Sequence, residues 1–128
     1  MANNKEALDN AAAVGAQNLV GPYHSALGIF SGAGPTEDEW KWGVDSMRQV
    51  AEHAGSVGVM LGVECLNRFE TYLLNTHSDA ARFVREVDHP SCRMMYDTFH
   101  SNIEEKNIAA AIRSCQDVLT HVHISEND

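Results

Sequence analysis

The sequence predicts an α/β fold in which four parallel strands alternate with helices. Three observations lead there. One unit recurs along the chain: a helical pattern, a Gly or Pro stop, a short apolar strand and a polar loop, the rhythm of βαβ units. The second strand, Val59–Glu64, is a nearly unbroken apolar run, as expected where a parallel sheet is covered. Hydrophobic residues make up 44% of the 128 positions, enough for one core and too many for a disordered chain.

The elements follow in order. The first helix is predicted from about Asn4 to Val14, with Asn3 or Asn4 as its N-cap and Gly15 as its stop. Strand one is Gln17–Val20, ended by Gly21-Pro22. A Gly-rich loop, Ser31 to Pro35, leads to Thr36-Glu37-Asp38-Glu39. This is a T-x-x-E capping box, in which Thr36 and Glu39 satisfy each other's free backbone N–H groups. Trp40, Val44, Met47 and Ala51 then recur at helical spacing as far as Gly55. After strand two, Thr76 or Ser78 starts a helix whose inner face is Ala80, Phe83, Val84 and Val87. His89-Pro90 ends it, because a residue before Pro disfavours the α region. Strand three is Cys92–Asp97. Asn107 caps a helix carrying Ile108, Ala111, Ile112 and Cys115, and strand four is Leu119–Ser125.

Composition excludes several classes. No run of about 18 apolar residues is present for a membrane span. Met1 to Gly15 lacks a charged segment followed by an apolar one, so no secretory signal is expected. Three Cys (Cys65, Cys92, Cys115) without a C-x-x-C pair fit a reducing cytoplasm better than a disulfide framework or a zinc ribbon. The net charge is −9 and the few Lys and Arg are scattered, so nucleic acid and anionic membrane are poor partners. A neutral small molecule, or a cation held by carboxylates, fits better. The chain is also too short for a closed eight-stranded (β/α)₈ barrel, which needs roughly 200 residues or more.

Three of the four strands end in a metal-ligand-type side chain: Glu64, Asp97 and His123, spaced 33 and 26 residues apart. In a parallel sheet the C-terminal strand ends open onto one face, where ligands bind, so the three converge. Two carboxylates and an imidazole suit Mn²⁺, Co²⁺, Mg²⁺ or Fe²⁺, and the lack of thiolate argues against a structural zinc. Taken singly, a carboxylate at a strand end is more often a solvated loop group or the cap of the next helix. One ligand type per consecutive strand end is what favours a site.

The remaining candidates read more simply. His121 and His123 share a strand face, so both could bind one ion, or His121 could hydrogen-bond a neighbouring strand. His24 reads as a pocket wall, and His53, His77 and His89 as surface residues. Met94-Met95 and Trp40/Trp42 read as packing, Glu104-Glu105-Lys106 as a solvated turn, and Cys65 as a small core residue facing away from Glu64.

Three strings carry a resemblance. Gly62-Val63-Glu64-Cys65-Leu66-Asn67-Arg68-Phe69-Glu70, then Tyr96-Asp97-Thr98-Phe99-His100, then His121-Val122-His123-Ile124-Ser125-Glu126-Asn127-Asp128 resemble the D-tagatose/D-psicose (allulose) 3-epimerases, a group of the xylose isomerase-like TIM barrels. The resemblance implies a partial (β/α)₈ barrel, about half of one, formed as a single domain by residues 1–128 and corresponding to the fourth to seventh barrel strands. It implies a metal held by Glu64, Asp97 and His123, with Glu64 also a catalytic acid/base carboxylate. Glu70 and His100 resemble the residues that hydrogen-bond the sugar hydroxyls around the reacting end. The family's pattern continues with an Arg directly after the position of Asp128 and a second Glu on the last strand, which supplies the fourth ligand and the opposite acid/base.

The implied activity is epimerisation of an unphosphorylated ketohexose at C3 through an enediolate, of the D-tagatose/D-sorbose or D-fructose/D-psicose type. Mn²⁺ or Co²⁺ is the expected cofactor, with Mg²⁺ also admissible, and a cytoplasmic homo-oligomer the expected state. Two rivals stand beside it: a related isomerase such as hydroxypyruvate isomerase, and a non-catalytic half-barrel that self-associates or binds a partner. The −9 charge disfavours an endonuclease IV-like enzyme.

Overall fold

The computed structural model describes residues 1–126. Asn127 and Asp128, which end the third string, lie outside the described residues. The elements are α1 (Ala2–Ala13), β1 (Asn18–Gly21), α2 (Glu37–Val57), β2 (Met60–Val63), α3 (His77–Val87), β3 (Cys92–Asp97), α4 (Thr98–Glu104), α5 (Ile108–Cys115) and β4 (Leu119–His123). The strands form one parallel sheet in the order β1-β2-β3-β4. This is the half-barrel of strands alternating with helices that the resemblance implies.

Local chemistry sets the boundaries. Thr36 and Glu39 form the expected reciprocal cap at the start of α2. Gly15, with φ 77°, lets Ala16 N–H reach back to Ala11 O and its own N–H to Ala12 O, a Schellman ending. Thr76 and Asn107 cap α3 and α5 by accepting from Asp79 N–H and Ala110 N–H. Four expectations change. Helix α1 begins at Ala2 with Met1 as its N-cap and no side-chain cap, rather than being capped by Asn3 or Asn4. Helix α3 stops at Val87 because Asp88 turns left-handed at φ 51°, a conformation Asp tolerates better than most residues, so His89-Pro90 only prevents resumption. Helix α4 has no counterpart among the predicted elements. On α5, only Ala111 and Cys115 are buried, while Ile108 and Ile112 are exposed.

The core lies between the helices and one face of the sheet. Phe83, Leu8, Met47, Leu61, Leu74, Val63 and Met94 are fully buried there, and Trp40 packs edge-on against Phe83 with ring centroids 5.4 Å apart. Trp42, by contrast, is exposed. Cys65, Cys92 and Cys115 are all buried thiols, and burial pushes Cys92 up to about 12.

The opposite face is strongly concave. In a flat sheet β1 and β4 would stand about 14 Å apart, three strand spacings. Here Thr120 Oγ1 donates to Asn18 Oδ1 at 3.0 Å, directly across the sheet. Gly62 on β2 makes room for this: a Cβ there would lie 2.7 Å from Val20 Cγ1 and 3.1 Å from Thr120 Cγ2. Val20 is stiff at χ1, so the strand itself would have to move. Gly62→Ala should therefore cost about 1–3 kcal/mol, the usual penalty of overpacking, measured as a lower denaturation midpoint with unchanged slope.

Candidate metal and proton-transfer site

At the C-terminal rim of the concave face, the strand ends bring the expected residues together. Glu64 is the first residue past β2. Its N–H donates to Gly21 O at 2.9 Å and its C=O accepts from His24 Nε2 at 3.0 Å. Asp97 ends β3 and also caps α4, its Oδ1 accepting from Phe99 N–H at 2.7 Å. The helix-cap role expected of a lone strand-end carboxylate is thus real, and it leaves Oδ2 facing the site, 3.6 Å from His123 Nδ1. His121 stands edge-on to His123 with ring centroids 4.9 Å apart, and both are solvent-exposed.

His100 enters from α4. Its Nδ1 accepts from Asn67 N–H at 3.0 Å and lies 3.1 Å from Asn67 Nδ2, so the neutral ring carries its proton on Nε2. That Nε2 lies 3.6 Å from Glu64 Oε1 and 4.0 Å from Glu70 Oε2. Ligand-type atoms of Glu64, Asp97 and His100 all fall within 4.8 Å of one another. The imidazole that clusters with both carboxylates is therefore His100, while His123 stands equally close to Asp97 alone; but His100 presents an N–H, which suits an oxygen acceptor and not a cation. Among the residues quoted for the resemblance, Glu64, Asp97, His100, Glu70 and His123 all line this one rim.

The electrostatics match the geometry. Burial and then the neighbouring Asp97 carboxylate push Glu64 up to about 6, against the downward pull of His123. Burial and then Glu64 push the Tyr23 hydroxyl to about 12, and burial drops His24 to about 4, leaving it neutral. Carboxylates crowded in a half-buried rim repel each other, and a divalent cation relieves that repulsion. Oxygen and imidazole donors with no thiolate facing them fit Mn²⁺, Co²⁺ or Mg²⁺; Cys65 is buried on the far face.

A supporting layer escaped sequence reasoning. Arg68 donates through its backbone N–H and guanidinium to Glu104, tying the loop after β2 to the helix that carries His100. His77 is 1% exposed, not a surface residue. Its N–H donates to Glu105 at 2.8 Å and its ring stacks on Tyr96 at 4.1 Å. Glu104 and Glu105 are thus partners of this layer rather than a solvated turn. The available signal was position alone, since Asn67 and Arg68 lie inside the first string.

Known proteins match this arrangement. The pattern of the xylose isomerase-like TIM barrel family covers residues 1–128. The chain is 47% identical over 88 residues to a D-psicose 3-epimerase of Ruminiclostridium cellulolyticum, covering 69% of this chain and 30% of the relative. It is 33% identical over 123 residues to an L-ribulose 3-epimerase of Methylomonas sp., covering 96% and 43%. A crystal structure of D-psicose 3-epimerase with D-tagatose from Clostridium cellulolyticum H10 superposes with a TM-score of 0.89 at 36% identity, over 98% of this chain and 44% of that one. The chain spans less than half the length of these relatives. With its four parallel strands, its covering helices and its match along the entire length, the chain belongs to the xylose isomerase-like TIM barrel family.

Proposed function

We propose that this chain carries the metal-binding and first proton-transfer half of a ketose 3-epimerase site. The observation that supports it best is the meeting of Glu64, Asp97 and His123 at successive strand ends, with the His100 Nε2–H directed at Glu64 and Glu70. Relatives named as epimerases of psicose and ribulose favour a ketose substrate. Glu64, Asp97 and His123 would hold a divalent cation, Mn²⁺ or Co²⁺ with Mg²⁺ as an alternative, which would supply Lewis-acid stabilisation of the negative charge that develops on the sugar.

The protein's own groups do the rest. Glu64 takes the proton from C3: the C3–H electron pair becomes the C2–C3 double bond, the carbonyl electrons move onto O2, and the proton stays on Glu64. Glu64, a carboxylate half-buried beside Asp97 at the rim, is placed to accept and return that proton. His100 donates through Nε2–H, and Glu70 accepts, at hydroxyls around the reacting carbons. We place the protein in the cytoplasm as a homo-oligomer, with association covering exposed apolar side chains such as Val122 and Ile124 at the β4 edge.

The test needs only the first half of the reaction. The chain with Mn²⁺ and D-fructose in D₂O should bind the metal by calorimetry and place deuterium at C3, read by NMR. Metal binding without deuterium at C3 would leave the non-catalytic half-barrel reading standing. Absence of Mn²⁺ binding would remove the metal site itself.

A further inference from the structure

We infer that His24 is a positioning residue that aims Glu64 by gripping its main chain. The inference rests on the reading of Glu64 as cation ligand and proton acceptor. Glu64 lies one residue beyond the last ladder residue of β2, Val63; its N–H still donates to Gly21 O on β1, but its carbonyl needs a partner the sheet does not provide. That partner comes from the loop after β1: His24 Nε2–H donates to the Glu64 carbonyl at 3.0 Å.

His24 is in turn locked. Ser25 Oγ lies 2.9 Å from His24 Nδ1 and 2.7 Å from Thr71 Oγ1. Because a carbonyl can only accept, Nε2 carries the proton and Nδ1 accepts, which orders the chain as Thr71 O–H to Ser25 O–H to His24 to Glu64 C=O. His24 and Thr71 are both buried, so the ring has no solvated alternative. Thr71 directly follows Glu70, so one network sets the loop positions of both carboxylates. Side chains that orient a metal ligand from behind typically affect metal affinity about 10–100-fold.

The test compares His24→Leu, which keeps bulk and loses the donor, with His24→Gln, whose amide N–H can take the place of Nε2–H. Two readouts are used: exchange of the Glu64 amide proton in metal-free protein, and Mn²⁺ affinity by calorimetry. His24→Leu should speed Glu64 amide exchange about tenfold and weaken Mn²⁺ about 10–100-fold, while His24→Gln recovers most of both. Unchanged Glu64 exchange in a folded His24→Leu protein, or a Gln variant as impaired as Leu in both readouts, would overturn the inference. If the parent binds no Mn²⁺, the metal reading fails and the exchange measurement alone decides the role of His24. If His24→Leu does not fold, Ser25→Ala, which frees Nδ1, should still speed Glu64 exchange, and no change there would overturn it.

Discussion

Glu64→Gln is expected to lower deuterium incorporation at C3 by at least about 100-fold at saturating Mn²⁺, since a positioned acid/base group contributes about 10²–10⁴-fold. Gln preserves the volume and one oxygen, so fold and hydrogen-bonding shape survive, but the amide cannot hold the abstracted proton. Saturating metal matters because Glu64 is also a proposed ligand, and a weaker site would otherwise pass for a weaker base. Glu70→Gln gives the contrast. Glu70 sits 4.0 Å from His100 Nε2 with its side chain nearly half exposed, a position for holding a hydroxyl rather than moving a proton. Its loss should raise KM more than it lowers kcat, the mark of binding shared by ground and transition states. Exchange in Glu64→Gln within tenfold of the parent would assign the proton step to another residue.

The strand framework was legible because its signals are local. An apolar run closed by Gly21-Pro22 marks β1, a nearly unbroken apolar run marks β2, and β3 falls on Cys92–Asp97 as expected. Glu64, Asp97 and His123 could be found together because a parallel sheet sends every strand end to one rim. Helix α4 was hidden because Thr98-Phe99-His100-Ser101 has no apolar period. It is held by the Asp97 cap and by Arg68 reaching Glu104 from 36 residues away. His77 misled for a related reason: an imidazole looks like a surface group until Glu105, 28 residues on, is folded against it. The direction of the His100 ring was equally out of reach, because it depends on an Asn67 backbone N–H placed by the turn after β2. Patterns of one residue type per element survive in a sequence, whereas long-range polar pairs do not.

Asp97 allows its two roles to be pulled apart in one comparison. Its Oδ1 caps α4 and its Oδ2 faces His123 and the site. Asn caps a helix about as well as Asp, whereas Ala forfeits about 0.5–2 kcal/mol. Asp97→Asn should therefore keep the parent's denaturation midpoint, while Asp97→Ala should lose about 1 kcal/mol. Both remove the charge from the site, so both should weaken Mn²⁺ by about 100-fold or more, beyond what loss of a supporting side chain costs. Calorimetry and urea titration on the two variants read the roles separately. If Asp97→Asn bound Mn²⁺ like the parent, the carboxylate would be a helix cap and nothing more, and the convergence of strand-end ligands would lose its central member. If it is stable but does not bind, the α4 cap and the ligand share one side chain, and the helix that delivers His100 is anchored by the same carboxylate that would hold the ion.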